Sequence, residues 1–175
     1  FKFINTNKID SKISINLSSI QIQDPKLISD LKVLIDKFSI NPENIILEIT
    51  ETSLMKSIDS SLDTINKLKE IDFTIALDDF GTGYSSLNYI QNLPVDILKI
   101  DKSFIDKLTK DSKEMELIKA ILLIANSENL QVVCEGVETN EQLKLLNDLG
   151  FYNIQGYLFS KPLNNDEFIQ FYKNN

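Results

Sequence analysis

The chain is organised around the stretch Phe73-Thr74-Ile75-Ala76-Leu77-Asp78-Asp79-Phe80-Gly81-Thr82-Gly83-Tyr84-Ser85-Ser86. Its apolar first half predicts a buried strand that ends at two adjacent carboxylates and continues into a Gly-X-Gly segment. Such a strand end brings negative charge and a permissive backbone to one place, which is a common way to build a metal or phosphate site. Alternatively, the aspartates cap a helix and the glycines shape a turn. The stretch alone does not decide between the two.

Composition favours one globular domain over residues 1–175, since 42% of the residues are hydrophobic and 25% are charged. Lys and Arg number 18 against 26 for Asp and Glu, which gives a net charge of −8. Because no Lys/Arg-rich run is present, duplex DNA or RNA is not expected as a partner. An anionic substrate would need local lysines or divalent metal ions to neutralise it.

The residue inventory excludes several kinds of site. The chain has no histidine, and its only cysteine is Cys134. Zinc sites of Cys/His type, His-based triads and internal disulfides are therefore excluded, and a general acid or base has to be Asp, Glu, Lys or Tyr. No apolar run approaches the ~18 residues of a membrane span, and the N-terminus lacks signal-peptide layout. We expect a cytoplasmic segment without membrane contact, in a parent protein that could be membrane-anchored.

Short runs rich in Ile, Val and Leu alternate with helical patterns, which is typical of βα units around a parallel sheet. The apolar runs cover 12–15, 44–47, 73–77, 95–101, 130–134 and 151–154. Helices are predicted from Asp24-Pro25 up to Asn41-Pro42, from Ile58 to Leu68, over 112–128, from Thr139 to Gly150 and over 164–172. The fold class is therefore α/β.

Each apolar run ends in a polar residue, namely Asn16, Glu48, Asp78 with Asp79, Lys99, Glu135 and Gln155. In parallel α/β proteins the chemistry gathers at the carboxyl ends of the strands. Taken singly, Asn16 could be a turn residue, Glu48 a solvated strand end and Lys99 a surface charge. Taken together, converging carboxylates would repel one another unless a cation or a lysine neutralised them.

Oxygen donors at these positions suit a hard divalent cation. Mg²⁺ or Mn²⁺ would be held by Asn16, Glu48, Asp78 and Asp79. Two such ions could clamp the attacking and leaving oxygens of a phosphodiester. Glu135 could then accept a proton from the attacking water, while Lys99 could hold that water or the developing charge.

The ordered set of motifs resembles the EAL domain family over nearly the whole chain. The motifs are Asn16-Leu17-Ser18, Leu47-Glu48-Ile49-Thr50-Glu51, Asp78-Asp79-Phe80-Gly81-Thr82-Gly83, Leu98-Lys99-Ile100-Asp101, Glu135-Gly136-Val137-Glu138 and Gln155-Gly156-Tyr157-Leu158-Phe159. The resemblance implies a TIM-like (β/α) barrel that hydrolyses cyclic di-GMP to linear pGpG with Mg²⁺ or Mn²⁺.

The resemblance also implies a role for each site residue. Asn16, Glu48 and Asp78 would be metal ligands, and Asp79 would serve a second metal. Glu135 would act as the base or as the partner of the water on the metal, Lys99 would position that water, and Gln155 would line the same site.

Two further glutamates would stabilise a loop. By resemblance, Glu51 would hold the loop after Asp79 in its working shape, with Glu138 close by. The segment from Gly81 to Ser86 would then couple dimerisation to activity.

The chain departs from the family pattern at its start. The Glu-Ala-Leu segment, whose glutamate is a metal ligand in the family, does not occur in these residues. The first two strands are expected to precede Phe1, so the prediction is an incomplete barrel of about six of the eight strands, the C-terminal part of an EAL phosphodiesterase domain. A homodimer and an upstream sensory or regulatory domain are expected for the parent. Cys134 replaces a small residue and should be tolerated.

Other functions remain open at this point. The chain could be an inactive cyclic di-GMP receptor, or a regulatory or structural module that binds a partner. An aldolase that forms a Schiff base through Lys99 would leave the carboxylates unexplained. The triplet Asp79-Phe80-Gly81 is not read as a kinase motif, because a chain without histidine has no His-Arg-Asp loop.

Overall fold

The computed structural model describes residues 2–7, 9, 11–56, 58–81 and 93–174. Strands and helices alternate along them. The strands are β1 (Ile13–Asn16), β2 (Ile45–Thr50), β3 (Thr74–Phe80), β4 (Ile97–Ile100), β5 (Gln131–Cys134) and β6 (Asn153–Ile154). The helices are α1 (Lys2–Asn7), α2 (Ser19–Ile22), α3 (Leu27–Phe38), α4 (Glu51–Met55), α5 (Ile58–Lys69), α6 (Lys102–Ile105), α7 (Lys113–Ser127), α8 (Asn140–Leu149) and α9 (Asn165–Asn174).

The six strands form one parallel sheet in which spatial order follows chain order. Because the strand order never reverses, the sheet is a section of a barrel wall, unlike a doubly wound sheet. The predicted α/β class and the incomplete TIM-like barrel of six strands are confirmed. All carboxyl ends of the strands consequently lie along one edge.

The core lies between the sheet and the helices that cover it. Buried strand residues include Ile49, Ile75 and Leu98, and they belong to one cluster with Ile65 of α5 and Ile118 of α7. Helix α5 carries Ile65 and Leu68 at helical spacing, as the sequence pattern predicted. In the described part of the chain, no helix has both the length and the apolar character that crossing a membrane requires.

The helix predicted to begin at Pro25 begins at Leu27 instead. Asp24 accepts the backbone N–H of Lys26 on its Oδ1 at 2.9 Å and that of Leu27 on its carbonyl at 3.0 Å, so this dipeptide forms a turn before the helix. The helix ends at Phe38, before the predicted Asn41, because Ser39 adopts a left-handed φ of 48°.

The boundaries of α8 follow the predicted capping signals. Thr139 and Gln142 form the expected capping box of α8, and Gly150 terminates that helix with a φ of 94°. Ser112 caps α7 without being part of it, and Asn164 accepts N–H groups of the first turn of α9. Helix α9 continues to Asn174, two residues past the predicted end.

Candidate active site

Strand β3 runs through the two aspartates and ends at Phe80, one residue past the strand end predicted at Asp78 and Asp79. Leu77 pairs with Leu98 and Phe80 pairs with Ile100, which leaves one extra residue on β3. This bulge includes Asp79, whose φ of 55° is left-handed, a conformation that Asp tolerates better than most residues. Regular alternation would send two successive side chains to opposite faces of the sheet. The bulge interrupts this alternation, so that Asp79 lies near Asp78, Lys99 and Glu48.

The Lys99 ammonium group, at the end of β4, lies at the centre of a cluster of carboxylates from the ends of three other strands. Its Nζ is 2.8 Å from Glu48 Oε1, 2.8 Å from Glu135 Oε1 and 3.1 Å from Asp78 Oδ1. Lys99 is only 5% exposed and Glu48 only 8%. The strand ends β2, β3, β4 and β5 therefore deliver their side chains to one buried point, as predicted.

The environment of Lys99 favours the protonated, positively charged form of its side chain. Burial lowers the pKa of Lys99, but hydrogen bonds to Glu135 and Glu48 and the charges of Glu135 and Asp78 outweigh that effect and raise the pKa above its ordinary value. A Schiff-base lysine needs a lowered pKa, so this geometry does not support the aldolase alternative.

The cluster contains more negative than positive charge. Burial raises the pKa of Asp79, and the neighbouring charges of Asp78 and Asp101 raise it further. Burial also raises the pKa of Glu135, although Lys99 opposes this increase. One ammonium group thus faces Glu48, Asp78, Asp79 and Glu135, and an additional cation would be attracted to them.

Two polar residues extend the same edge. Asn16 is aligned with Glu48 in the β1–β2 register and is exposed. Gln155 follows β6, donates its backbone N–H to Cys134 O at 2.9 Å and is also exposed. Both predicted residues therefore lie at the carboxyl ends of the strands, on either side of the buried cluster.

Glu51 contacts the chain immediately after Asp79 and Phe80. It is 4% exposed, and its Oε2 accepts the backbone N–H of Gly81 at 3.4 Å. Its Oε1 has no partner among the described residues. The role given to Glu51 in shaping this loop stays a prediction, because residues 82–86 of the predicted coupling segment lie outside the described residues.

Glu138 contacts a lysine, and its expected place near the loop after Asp79 stays a prediction because residues 82–86 lie outside the described residues. Its Oε1 accepts a hydrogen bond from Lys102 Nζ at 2.8 Å, on the β5 side of the sheet. Asp101 is the last residue of the motif Leu98-Lys99-Ile100-Asp101 and Lys102 directly follows it, but neither residue had a predicted role. Their signal in the sequence was only their position two and three residues after a strand-end lysine.

A cavity of about 560 Å³ opens beside the cluster. Its volume is in the range of small-molecule sites. Residues with acidic, basic, amide and aromatic side chains line it, including Lys102, Glu135, Glu138, Gln155, Tyr157, Lys161, Phe168 and Phe171. Lys161 Nζ lies 6.0 Å from the centre of the Tyr157 ring, so a cation and an aromatic face lie together in the wall.

The family model described as "EAL domain" matches residues 2–162. The chain belongs to the EAL domain family. The family assignment made from the motifs is confirmed.

Relatives of this EAL domain chain include the bifunctional diguanylate cyclase/cyclic di-GMP phosphodiesterase MucR of Pseudomonas aeruginosa, 39% identical over 154 residues, which is 88% of this chain and 22% of MucR. A solved structure of the PaMucR phosphodiesterase in complex with c-di-GMP has a TM-score of 0.90 and 36% identity, covering 95% of this chain and 74% of that one. A manganese/cy-diGMP complex of Klebsiella pneumoniae BlrP1 has a TM-score of 0.87 and 25% identity, and the match covers 93% of this chain and 42% of the BlrP1 chain. The chain spans about a fifth of the length of MucR.

The donor set of this EAL domain chain fits a divalent cation. Glu48, Asp78 and Asp79 provide hard oxygen donors. Burial, and then the neighbouring negative charges of Asp78 and Asp101, raise the pKa of Asp79, and a cation would relieve that charge. The side chains are arranged around Lys99, and among the described residues no three carboxylates are grouped in a ready metal-binding arrangement. Metal binding would therefore require these carboxylates to turn from the ammonium group towards the ion.

Proposed function

We propose that this chain takes part in the metal-dependent hydrolysis of cyclic di-GMP to linear pGpG in a bacterial signalling protein. The observation that carries the proposal is the buried cluster at the carboxyl edge, in which Lys99 is 2.8 Å from both Glu48 and Glu135. This cluster occurs in an EAL domain whose relative MucR carries the name of a cyclic di-GMP phosphodiesterase.

The cavity beside the cluster supports a nucleotide as the substrate. Its wall combines the flat ring of Tyr157 with the ammonium group of Lys161. An aromatic face can stack on a base, and an ammonium group attracts a phosphate. Glu135 and Gln155 belong to the same wall, so a dinucleotide there would have a phosphodiester near the cluster.

The chemistry of the donors supports Mg²⁺ or Mn²⁺ as the cofactor, and we propose that two ions bind. Asn16, Glu48, Asp78 and Asp79 would hold them. When bound, such ions polarise a phosphodiester and make water a better nucleophile at neutral pH.

The protein's own residues then account for the proton transfer. Glu135 accepts a proton from the water that attacks phosphorus, for which its raised pKa makes it a stronger base than an ordinary glutamate. The bond from phosphorus to the ribose 3′ oxygen breaks, and that oxygen takes a proton from solvent. Lys99 keeps Glu135 in place and offers a positive charge to the phosphate in the transition state.

Product analysis tests the proposal directly. The full-length parent protein is incubated with cyclic di-GMP and Mn²⁺, and the products are separated by liquid chromatography, with an EDTA-treated sample as the control. We expect pGpG to appear with the metal and not with EDTA. Absence of pGpG in the presence of Mn²⁺ would contradict the enzymatic proposal.

A second candidate is a receptor that binds cyclic di-GMP without cleaving it. The position of Lys99 favours this candidate, because its ammonium group already neutralises part of the charge that would draw a metal to Glu48 and Asp78. In the same incubation, retention of intact cyclic di-GMP by the protein without pGpG would support the receptor.

The proposal concerns a domain within a longer protein. MucR is several times longer than this chain, which supports a parent protein with further sensory or regulatory domains. We propose that residues 1–175 form the C-terminal part of one phosphodiesterase domain. The homodimer, the cytoplasmic location and the coupling role of the loop after Asp79 stay predictions.

A further inference from the structure

Two lysines three residues apart contact two glutamates three residues apart. Lys99 contacts Glu135 inside the buried cluster, and Lys102 contacts Glu138 outside it, each at 2.8 Å. Lys102 Nζ is also 2.7 Å from Asp106 Oδ1, one helical turn further along. We call Lys102, Asp106 and Glu138 the outer ion pairs. They connect the start of α6 to the turn after β5.

The stem of Lys102 lies directly over this turn. Gly136 has a left-handed φ of 71°, and a Cβ placed on it would lie 2.6 Å from Lys102 Cβ. Only glycine allows the lysine stem to approach so closely. Lys102 therefore contacts the turn twice, through its methylene groups at Gly136 and through its ammonium group at Glu138.

The same turn is connected to the strand end that carries Gln155. Val137 donates its N–H to Gln155 O at 3.1 Å, and Leu158 donates its N–H to Val137 O at 3.0 Å. Val137 is fully buried, and Gly156 lies against its backbone too closely for any side chain. Movement of the turn would thus displace both Glu135 and Gln155.

The outer ion pairs are exposed, with Lys102 at 44% and Glu138 at 45% of their side-chain surface. Exposed pairs contribute little to global stability. The last ladder hydrogen bond of β5 joins Glu135 N–H to Ile100 O. Beyond it, the turn from Gly136 to Glu138 is held by the contacts with Lys102, Gln155 and Leu158 and by the hydrogen bond from Glu138 N–H to Gln142 Oε1 at 2.9 Å. The small interaction energy of the outer ion pairs should therefore affect the position of the turn after β5 more than the free energy of unfolding.

We propose that Lys102 is a positioning residue for Glu135, holding the turn after β5 so that the Glu135 carboxylate stays against Lys99. The expected effect on kcat rests on the proposed function, whereas the expected effect on the position of the turn does not. The position of the turn is a property of the folded chain and is measurable without turnover.

The test compares Lys102→Met, which keeps the stem and removes the ammonium group, with Lys102→Arg, which keeps the charge. Lys119→Met is the matched control, because Lys119 is 45% exposed and forms a 2.8 Å pair with Glu116 on α7. Glu138→Gln removes the other partner without changing its size. Amide hydrogen exchange of Val137 and Leu158, relative to core amides, is measured together with kcat and KM for cyclic di-GMP.

We expect Lys102→Met and Glu138→Gln to accelerate exchange at Val137 and Leu158 several-fold and to lower kcat by about fivefold, in line with the small energies of exposed pairs. KM should change less than twofold, Lys102→Arg should restore both properties, and Lys119→Met should alter neither. Unchanged exchange in Lys102→Met would overturn the proposal, and so would a rise in KM alone, which would indicate direct substrate contact. If the parent chain shows no turnover, the proposed function fails while the exchange data still decide the role of Lys102.

Discussion

Both edges of the sheet carry a lysine–carboxylate contact, but only the contact at the carboxyl edge has more carboxylates than lysines. At the amino edge, Lys69 and Asp96 form a 2.5 Å pair, and Asp96 Oδ2 also accepts the N–H of Ile75 at 2.9 Å. One cation meets one anion there, with each side chain more than one-third exposed. At the carboxyl edge, Lys99 is buried among three carboxylates at 2.8–3.1 Å, with Asp79 close by.

This difference is the one expected between a structural contact and the proposed functional site. A balanced, exposed pair costs little to form and contributes little. Burying like charges together costs free energy. Stability of the fold therefore does not explain why these carboxylates are buried together. In a parallel barrel the carboxyl edge is also where chemistry is carried out, while the amino edge serves stability. Matched substitutions at the two edges should therefore have different effects.

The largest expected effect is on turnover. Glu135→Gln at the carboxyl edge keeps the shape of the side chain but cannot accept a proton, so we expect kcat for cyclic di-GMP to fall by about 10³-fold. Substrate affinity, measured by calorimetry, should change little because the amide still fits the cavity wall. Asp96→Asn at the amino edge is the control and should keep kcat within about twofold.

Equal losses in the two variants would show that the edges do not differ in function. Weakened binding with unchanged turnover per bound substrate in Glu135→Gln would contradict the role of Glu135 as a base.

The next effect is on stability. Lys99→Met leaves Glu48, Asp78 and Glu135 buried without their cation, so the free energy of unfolding in EDTA should fall by about 3–5 kcal/mol. Lys69→Met breaks a half-exposed pair and should cost less than about 1 kcal/mol. Urea denaturation of both variants provides the measurement. Similar costs would show that burial of the Lys99 cluster does not have the energetic weight assigned to it.

A smaller effect concerns the titration of Glu135. Its pKa lies above the ordinary 4.5 because of burial, and Lys99 lowers it. In metal-free protein, ¹³C NMR should therefore show Glu135 titrating above 4.5, and still higher in Lys99→Met, whereas Lys69→Met should leave it unchanged. A decrease in Lys99→Met would contradict the contact between these residues.

The sign of this shift also sets a pH dependence. A carboxyl group with a raised pKa in the folded state binds its proton more tightly there than in the unfolded state, so its contribution to stability falls as pH rises from 4.5 towards the raised pKa. Turnover changes in the opposite direction, because only the deprotonated form is a base.

The sequence predicted the sheet and most of the site because both depend on local patterns. Apolar runs with polar ends identified six strands and placed Glu48, Lys99 and Glu135 on one edge. Capping signals such as Thr139 with Gln142 set helix limits through contacts only a few residues apart. These features require no knowledge of distant neighbours.

The features that were missed depend on distant contacts. The bulge at Asp79 follows from pairing between β3 and β4, and nothing in the local pattern distinguishes it from a regular strand end. Lys102 acquires its partner only because the β5 turn packs against the start of α6, which brings Glu138 within 2.8 Å across 36 residues of chain. The start of α3 was misplaced because Asp24 forms a turn with its own neighbours, which competes with helix capping.

The most direct test of the difference between the edges is a Mn²⁺ titration by isothermal calorimetry on two double variants. Asp78→Asn/Asp79→Asn removes two charges from the carboxyl edge, and Asp72→Asn/Asp96→Asn removes two from the polar cavity of about 350 Å³ at the amino edge. We predict that the first weakens Mn²⁺ binding by about 100-fold or more and that the second leaves it unchanged within about twofold. Equal affinity in the two variants would contradict the claim that the excess charge at the carboxyl edge forms the metal site.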